Sequence, residues 1–125
     1  MNSASFYNFV VAGKVNDPSF HKCIAALKFL KKDNPKSVDV TIFQFFETQW
    51  EEYLRKIKIE KKGHFYHHKQ SPLVFFNDTE YIGDAESFQE WVLNEFRYTD
   101  KTSDVIYKKK ANDSFKQLIE NTPGR

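Results

Sequence analysis

The stretch Ser71-Pro72-Leu73-Val74-Phe75-Phe76-Asn77-Asp78-Thr79-Glu80-Tyr81-Ile82-Gly83-Asp84 leaves this chain few ways to fold. Residues 73–76 are an unbroken apolar run of strand length. Asn77 and Asp78 then supply turn chemistry, because their short side chains bond local backbone and tolerate left-handed dihedrals. Residues 81–82 return as a second short strand. Gly83 and Asp84 make a sharp exit, with Asp84 or Ser87 available to cap a following helix. Pro72 stands just ahead of the first strand, where its missing N–H costs no ladder bond. The stretch therefore reads as a β-hairpin that runs straight into a helix.

The rest of the chain supplies partners for that hairpin. Residues 6–12 are aromatic and β-branched, end at Gly13, and read as a buried strand. Asp17 is a good N-cap and Pro18 a good first helical residue. Phe20, Cys23, Ile24, Leu27 and Leu30 follow at helical spacing, and Asp33-Asn34-Pro35 stops that helix. Residues 38–43 read as a second strand. Thr48 to Glu51 has capping-box spacing, and Trp50, Tyr53, Leu54 and Ile57 form the apolar stripe of a second helix. Residues 58–70 read as a polar connection rich in Lys and His. After the hairpin, Phe88, Trp91, Val92 and Phe96 build a third helix. Residues 99–125 read as a tail with one short helix at 113–120, ended by Asn121 and Pro123.

The order is β-α-β-α-β-β-α plus a tail. Strands joined through a helix are expected to run parallel with a right-handed crossover, and strands joined by a turn antiparallel. A mixed four-stranded sheet with helices on both faces, spanning residues 6–98, satisfies this order.

Two sets of residues also carry a resemblance. Ser71 to Asn77, followed by Tyr81-Ile82-Gly83, resembles the glutaredoxin pattern of proline, apolar strand, Asn-rich turn and Ile-Gly-Gly. The fold this implies is thioredoxin-like, α/β, in its short glutaredoxin form. More narrowly, residues 9–13, 50–54 and 68–72 resemble the N-terminal domain of the malate dehydrogenase 1B family, and residues 98–103 resemble the segment leading out of it. The chain has no Gly-rich dinucleotide loop and no room for a dehydrogenase domain, so that activity does not carry over. The resemblance implies that the Ser71–Pro72 bond is the cis-proline bond of the fold, facing the start of the first helix.

It also implies that the Cys-Pro-x-Cys position of the redox-active relatives falls on Asp17-Pro18-Ser19-Phe20. Those relatives place a thiolate where the helix dipole and free N–H groups stabilise it. Here a carboxylate satisfies the same groups, and a carboxylate cannot attack a disulfide. Dithiol exchange is not expected, and neither a cofactor nor a metal is implied. Glutathione binding is disfavoured, since Asp84 replaces the second glycine of the pattern and brings bulk and negative charge. Cys23 lies on the apolar stripe and reads as a small buried hydrophobe. His64, His67 and His68 cluster without partner cysteines, and read as part of a solvated connection rather than a metal site.

Composition closes off other classes. Lys+Arg number 19 against Asp+Glu 17, which is no nucleic-acid footprint. A single cysteine permits no internal disulfide. No apolar run spans a bilayer, and residues 1–5 lack the order of a signal peptide, so a cytoplasmic location is the expectation. Lys61-Lys62 and Lys108 to Lys110 are weak marks for an anionic partner. The tail is more informative, because Val105, Ile106, Tyr107, Phe115, Leu118 and Ile119 have no obvious sheet to cover. They are the candidate partner-binding residues.

Two functions follow. The first is a redox-inactive interaction module, not an enzyme, acting with other proteins of a larger complex. The malate dehydrogenase 1B resemblance points that module to cilia, as an axonemal accessory component on a tubulin-based filament. The alternative is a glutathione-binding or monothiol glutaredoxin-like redox protein.

Overall fold

The computed structural model describes residues 6–100, 102 and 104–121. The expectations for the leader at 1–5 and for the stop at Pro123 lie outside the described residues. The chain runs β1 (Tyr7–Lys14), α1 (Pro18–Asp33), β2 (Val38–Phe45), α2 (Glu47–Lys61), a 3-10 turn (Gly63–His67), β3 (Leu73–Phe76), β4 (Glu80–Gly83), α3 (Ala85–Phe96) and α4 (Asp104–Asn121). The four strands form one sheet in the order β2-β1-β3-β4. This is the mixed, thioredoxin-like α/β arrangement.

Strand periodicity divides the core into two layers. Tyr7, Phe9 and Val11 of β1 turn to one face, where they meet Val74, Phe20, Leu27 and Leu30 of α1, and Phe88 and Val92 of α3. Ala12, Leu73 and Phe75 turn to the other face and meet Trp50, Leu54 and Ile57 of α2. The two faces of each strand thus need different helices, which fixes α1 and α3 on one side and α2 on the other.

β1 and β2 are parallel, as a strand-helix-strand unit requires. β3 runs antiparallel to β1, against the parallel direction expected for a strand reached through a helix. The reason is the long segment between Lys62 and Pro72, which carries the chain back along the sheet before β3 begins. β3 and β4 are antiparallel, with a register shift between Val74 and Phe75. At their turn Asn77 and Asp78 both adopt left-handed dihedrals. The Asn77 side chain continues the pairing, accepting from the Asn8 N–H at 2.9 Å and donating to the Phe6 carbonyl at 3.0 Å.

The helix ends follow local chemistry, with two corrections. Asp17 caps α1 and Asp84 caps α3, accepting from the N–H groups of Ser19 and Ser87, each at 3.0 Å. Gly83 sits at φ 128°, and a Cβ there would crowd Ser87, so this exit requires glycine. α2 begins two residues before the expected capping box: Phe46 is the N-cap, and its N–H donates to the Gln49 side chain at 3.0 Å. Residues 58–70 are not a plain connection either. α2 continues to Lys61, and the 3-10 turn follows with Phe65 buried.

The tail is the largest correction. One helix, α4, runs from Asp104 to Asn121 rather than over 113–120. It packs against α1 through the buried residues Tyr107 and Ala111. A short side chain at Ala111 and a flat ring at Tyr107, one turn apart, give the close approach that the polar composition conceals.

Candidate functional site

The start of α1 and the segment before β3 meet at one end of the sheet. Asp17 lies at the head of α1, and both of its carboxylate oxygens are engaged. Oδ1 accepts from the Ser19 N–H at 3.0 Å, and Oδ2 accepts from the Ser71 hydroxyl at 2.8 Å. The Ser71 Oγ in turn accepts from the Lys14 N–H at the end of β1, at 2.9 Å. The Ser71–Pro72 peptide is cis, and Pro72 is fully buried. The degenerate loop and the proline segment are therefore brought together. Ser19 and Phe20 take separate roles: Ser19 donates to the cap, and Phe20 is buried in the core.

Beside this pair opens a cleft of about 450 Å³. Its rim carries Lys14, Asp17, Glu47, Glu51, Lys69 and Gln70. The Lys14 ammonium lies 3.4 Å from Glu47, so part of this charge is internally compensated. The Gln70 amide donates to Asp84 Oδ2 at 2.8 Å. The cap bond from Ser87 holds the Asp84 carboxyl below its ordinary range, against burial, with help from Gln70. Asp84 is thus a negative charge held by Gln70, the residue before Ser71. The arrangement can hold a polar or charged group, but it offers no thiol.

The lone thiol is elsewhere. Cys23 is buried on α1. Burial, and then the charges of Asp17 and Asp84, push its thiol well above the ordinary value. A thiol held protonated in apolar surroundings is a poor nucleophile.

The histidines divide. His68 is buried rather than solvated, contrary to the expectation for its segment. Its Nε2 faces the carbonyls of Gln70 and Pro72, so that nitrogen donates. Its Nδ1 meets the Tyr81 hydroxyl at 2.8 Å. Burial pushes its pKa down, against the two carbonyls that favour the charged ring. His68 therefore ties the segment before β3 to β4. His64 stacks beside Tyr81, and His67 lies against Tyr66. Among the described residues no group of three or more His, Cys, Asp or Glu is placed to hold a metal ion.

The candidate partner-binding residues differ in exposure. Tyr107 is buried in the fold, which removes it from that set. Phe115 is half-buried, edge-on to the Phe46 ring at 5.8 Å. Leu118 and Ile119 are half-buried, while Val105 and Ile106 are exposed. Lys61 is also withdrawn from any anionic partner. Its ammonium lies 2.7 Å from Asp78 and over the rings of Phe65 and Phe75.

Sequence reasoning passed over Lys14, Gln70 and Ser71 as a hydroxyl donor, and it misread His68 as solvated. The spacing of His68 to Pro72 was the available signal, since a polar run just before a buried strand needs internal partners.

No protein-family model matches the chain. A curated relative is the human protein named probable inactive peptidyl-prolyl cis-trans isomerase-like 6, 26% identical over 113 residues. The match covers 90% of this chain and 36% of that protein, so the chain spans about a third of the length of the relative it matches.

Proposed function

We propose that this chain is a redox-inactive thioredoxin-like interaction module that serves as an accessory part of a larger protein assembly. The observation that carries the reading is the Asp17 carboxylate at the head of α1, with both oxygens committed to Ser19 and Ser71. Thiol-disulfide exchange needs an accessible thiolate, and the one cysteine of this chain is buried and held protonated. The human relative lends a weaker support, since its name calls it a probable inactive isomerase-like protein. The resemblance to the malate dehydrogenase 1B family supports a specific setting, the ciliary axoneme.

Two measurements test this. In a disulfide-reduction assay, wild type and Cys23→Ser are expected to turn over at the rate of buffer alone. Turnover that disappears with Cys23→Ser would sink the non-enzymatic reading. For the setting, the tagged protein is expected to concentrate along axonemes in ciliated cells and to co-purify with axonemal proteins. A diffuse distribution with no such company removes the axonemal part.

A second reading is non-covalent binding of glutathione beside Ser71. The ammonium groups of Lys14 and Lys69 on the cleft rim favour it. The fixed charge of Asp84 opposes it, and calorimetric titration with reduced glutathione separates the two.

A further inference from the structure

β2 forms one edge of the sheet, and its ladder can be read residue by residue. The carbonyls of Ser37 and Phe45 accept from Tyr7 and Val15, each at 2.8 Å, so both point toward β1. Backbone groups of a strand alternate in direction, so the odd-numbered residues of β2 serve the fold. Val38, Val40, Ile42 and Gln44 turn their N–H and C=O groups outward.

The first half of this edge is guarded. The Val38 N–H donates to the Asn34 carbonyl, and its own carbonyl accepts from Lys31 Nζ at 3.4 Å. The Val40 N–H donates to the Asp39 side chain at 3.1 Å. The second half is open. No described group meets the outward N–H and C=O of Ile42 and Gln44. Residues 41–44 are all exposed, including Ile42 at 38% and Phe43 at 42%. Edge strands are usually blunted by charge, proline, bulges or short length. Residues 40–46 hold no charged residue, proline or glycine. The opposite edge, β4, is only four residues long, and Phe65 of the 3-10 turn packs on its Tyr81.

We infer that β2 pairs antiparallel with β2 of a second copy of this chain, closing a two-fold dimer with one continuous eight-stranded sheet. The register follows from the groups left open. Setting Ile42 against Gln44 of the second copy, and the reverse, gives four main-chain hydrogen bonds and leaves the Val38 and Val40 guards in place. Phe43 then meets its own counterpart on the axis, as a close pair without hydrogen bonds between them. That pair stands on the side of the sheet where Phe43 and Phe45 already pack on Tyr53.

Charge favours this occupant and this direction. Lys31, Lys32 and Lys36 surround the beginning of β2 and outnumber Asp33 and Asp39 there. Glu47, Glu51 and Glu52 lie at its end, and with Asp17 they outnumber Lys14 and Lys69 of the same cleft. Antiparallel self-pairing brings the basic end of each strand to the acidic end of the other, twice. Parallel pairing would set like ends together.

The test is sedimentation of the full chain at hundreds of micromolar. Wild type is expected to approach twice its chain mass of 14.8 kDa. Ile42→Pro deletes an N–H that the fold does not use, and Ile42→Lys places a charge in the seam. Both are expected to sediment at the single-chain mass with an unchanged circular dichroism spectrum; if the proline unfolds the strand, the lysine variant decides. Under mild oxidation Phe43→Cys is expected to cross-link to its own counterpart, and Gln44→Cys is not. Wild type that stays a monomer overturns the proposal. So does a dimer that tolerates Ile42→Lys, or cross-linking that is equal at positions 43 and 44.

Discussion

The Ser71 hydroxyl donates to Asp17 Oδ2 at 2.8 Å, tying the segment before β3 to the head of α1 across 54 positions of sequence. The same carboxylate caps α1 through its other oxygen. Asp17→Ala removes both bonds, and the expected cost is about 1–2 kcal/mol. Asp17→Asn keeps an oxygen for the cap and should cost less. Urea unfolding of the two variants checks this; a midpoint for Asp17→Ala equal to wild type would make the pair a bystander.

Gly13 stands directly behind that pair. A Cβ at Gly13 would lie 2.6 Å from Phe20 Cδ1 and 2.8 Å from Ser71 Oγ. Neither neighbour can yield cheaply, since Phe20 is buried and Ser71 is held by Asp17. Gly13→Ala is therefore expected to destabilise by about 1–3 kcal/mol, the usual range for an overpacked core. Its effect should not add to that of Asp17→Ala, because both loosen Ser71. Additive losses in the double variant would show that Gly13 acts on Phe20 alone.

His68 makes stability depend on pH. Burial lowers its pKa in the folded protein below the unfolded value near 6.5. Between the two values the unfolded chain binds more protons. Stability from this group is thus complete above about pH 6.5 and is lost as pH falls from there through the lower folded value. Urea midpoints at a series of pH values should decline over that window for wild type. His68→Gln should flatten the decline, whatever its own cost at neutral pH. A variant as pH-sensitive as wild type would assign the effect to another group.

Cys23 should behave as core. A disulfide reagent such as Ellman's is expected to leave it unmodified in the folded protein and to react fully once denaturant is added. Burial and the nearby carboxylates both oppose the thiolate that such reagents require. Fast labelling under native conditions would show that α1 opens locally, and would reopen a thiol-based role.

How much of this was legible beforehand depended on whether a residue answers to its neighbours in sequence. Asp17, Pro18, Asn77, Asp78 and Asp84 do, because caps and turns are settled within a few positions; the structure places them as their chemistry requires. The core stripes were legible for the same reason, since Phe20, Leu27, Trp50 and Leu54 repeat at helical spacing. His68 was not, because its burial depends on Tyr81 and on carbonyls that fold back beneath it. The direction of β3 was not legible either, being set by a long irregular segment with no periodicity. At the candidate site, the exchange of cysteine for Asp17 could be read directly. The bond that fixes that carboxylate to Ser71 needed the tertiary fold.

α4 buries few of its apolar residues. Tyr107 is buried against the domain, and its hydroxyl donates to Asp100 Oδ2. Burial, and then that carboxylate, push the phenol up to about 12, so it remains a donor at neutral pH. Burial alone would raise Asp100; the bonds from Tyr107 and Thr102 outweigh it and hold the carboxyl low. Further along, Phe115 meets the Phe46 ring edge-on. If Tyr107 is the anchor, Tyr107→Phe should cost about 1–2 kcal/mol through the lost charged hydrogen bond, and Tyr107→Ala about 3 kcal/mol through the lost ring. Hydrogen exchange reads this locally. Amides across residues 104–121 should lose protection in Tyr107→Ala while those of β1 keep theirs, and Phe115→Ala should change either set little. Protection that survives Tyr107→Ala and falls with Phe115→Ala would move the anchor to the far end of the helix.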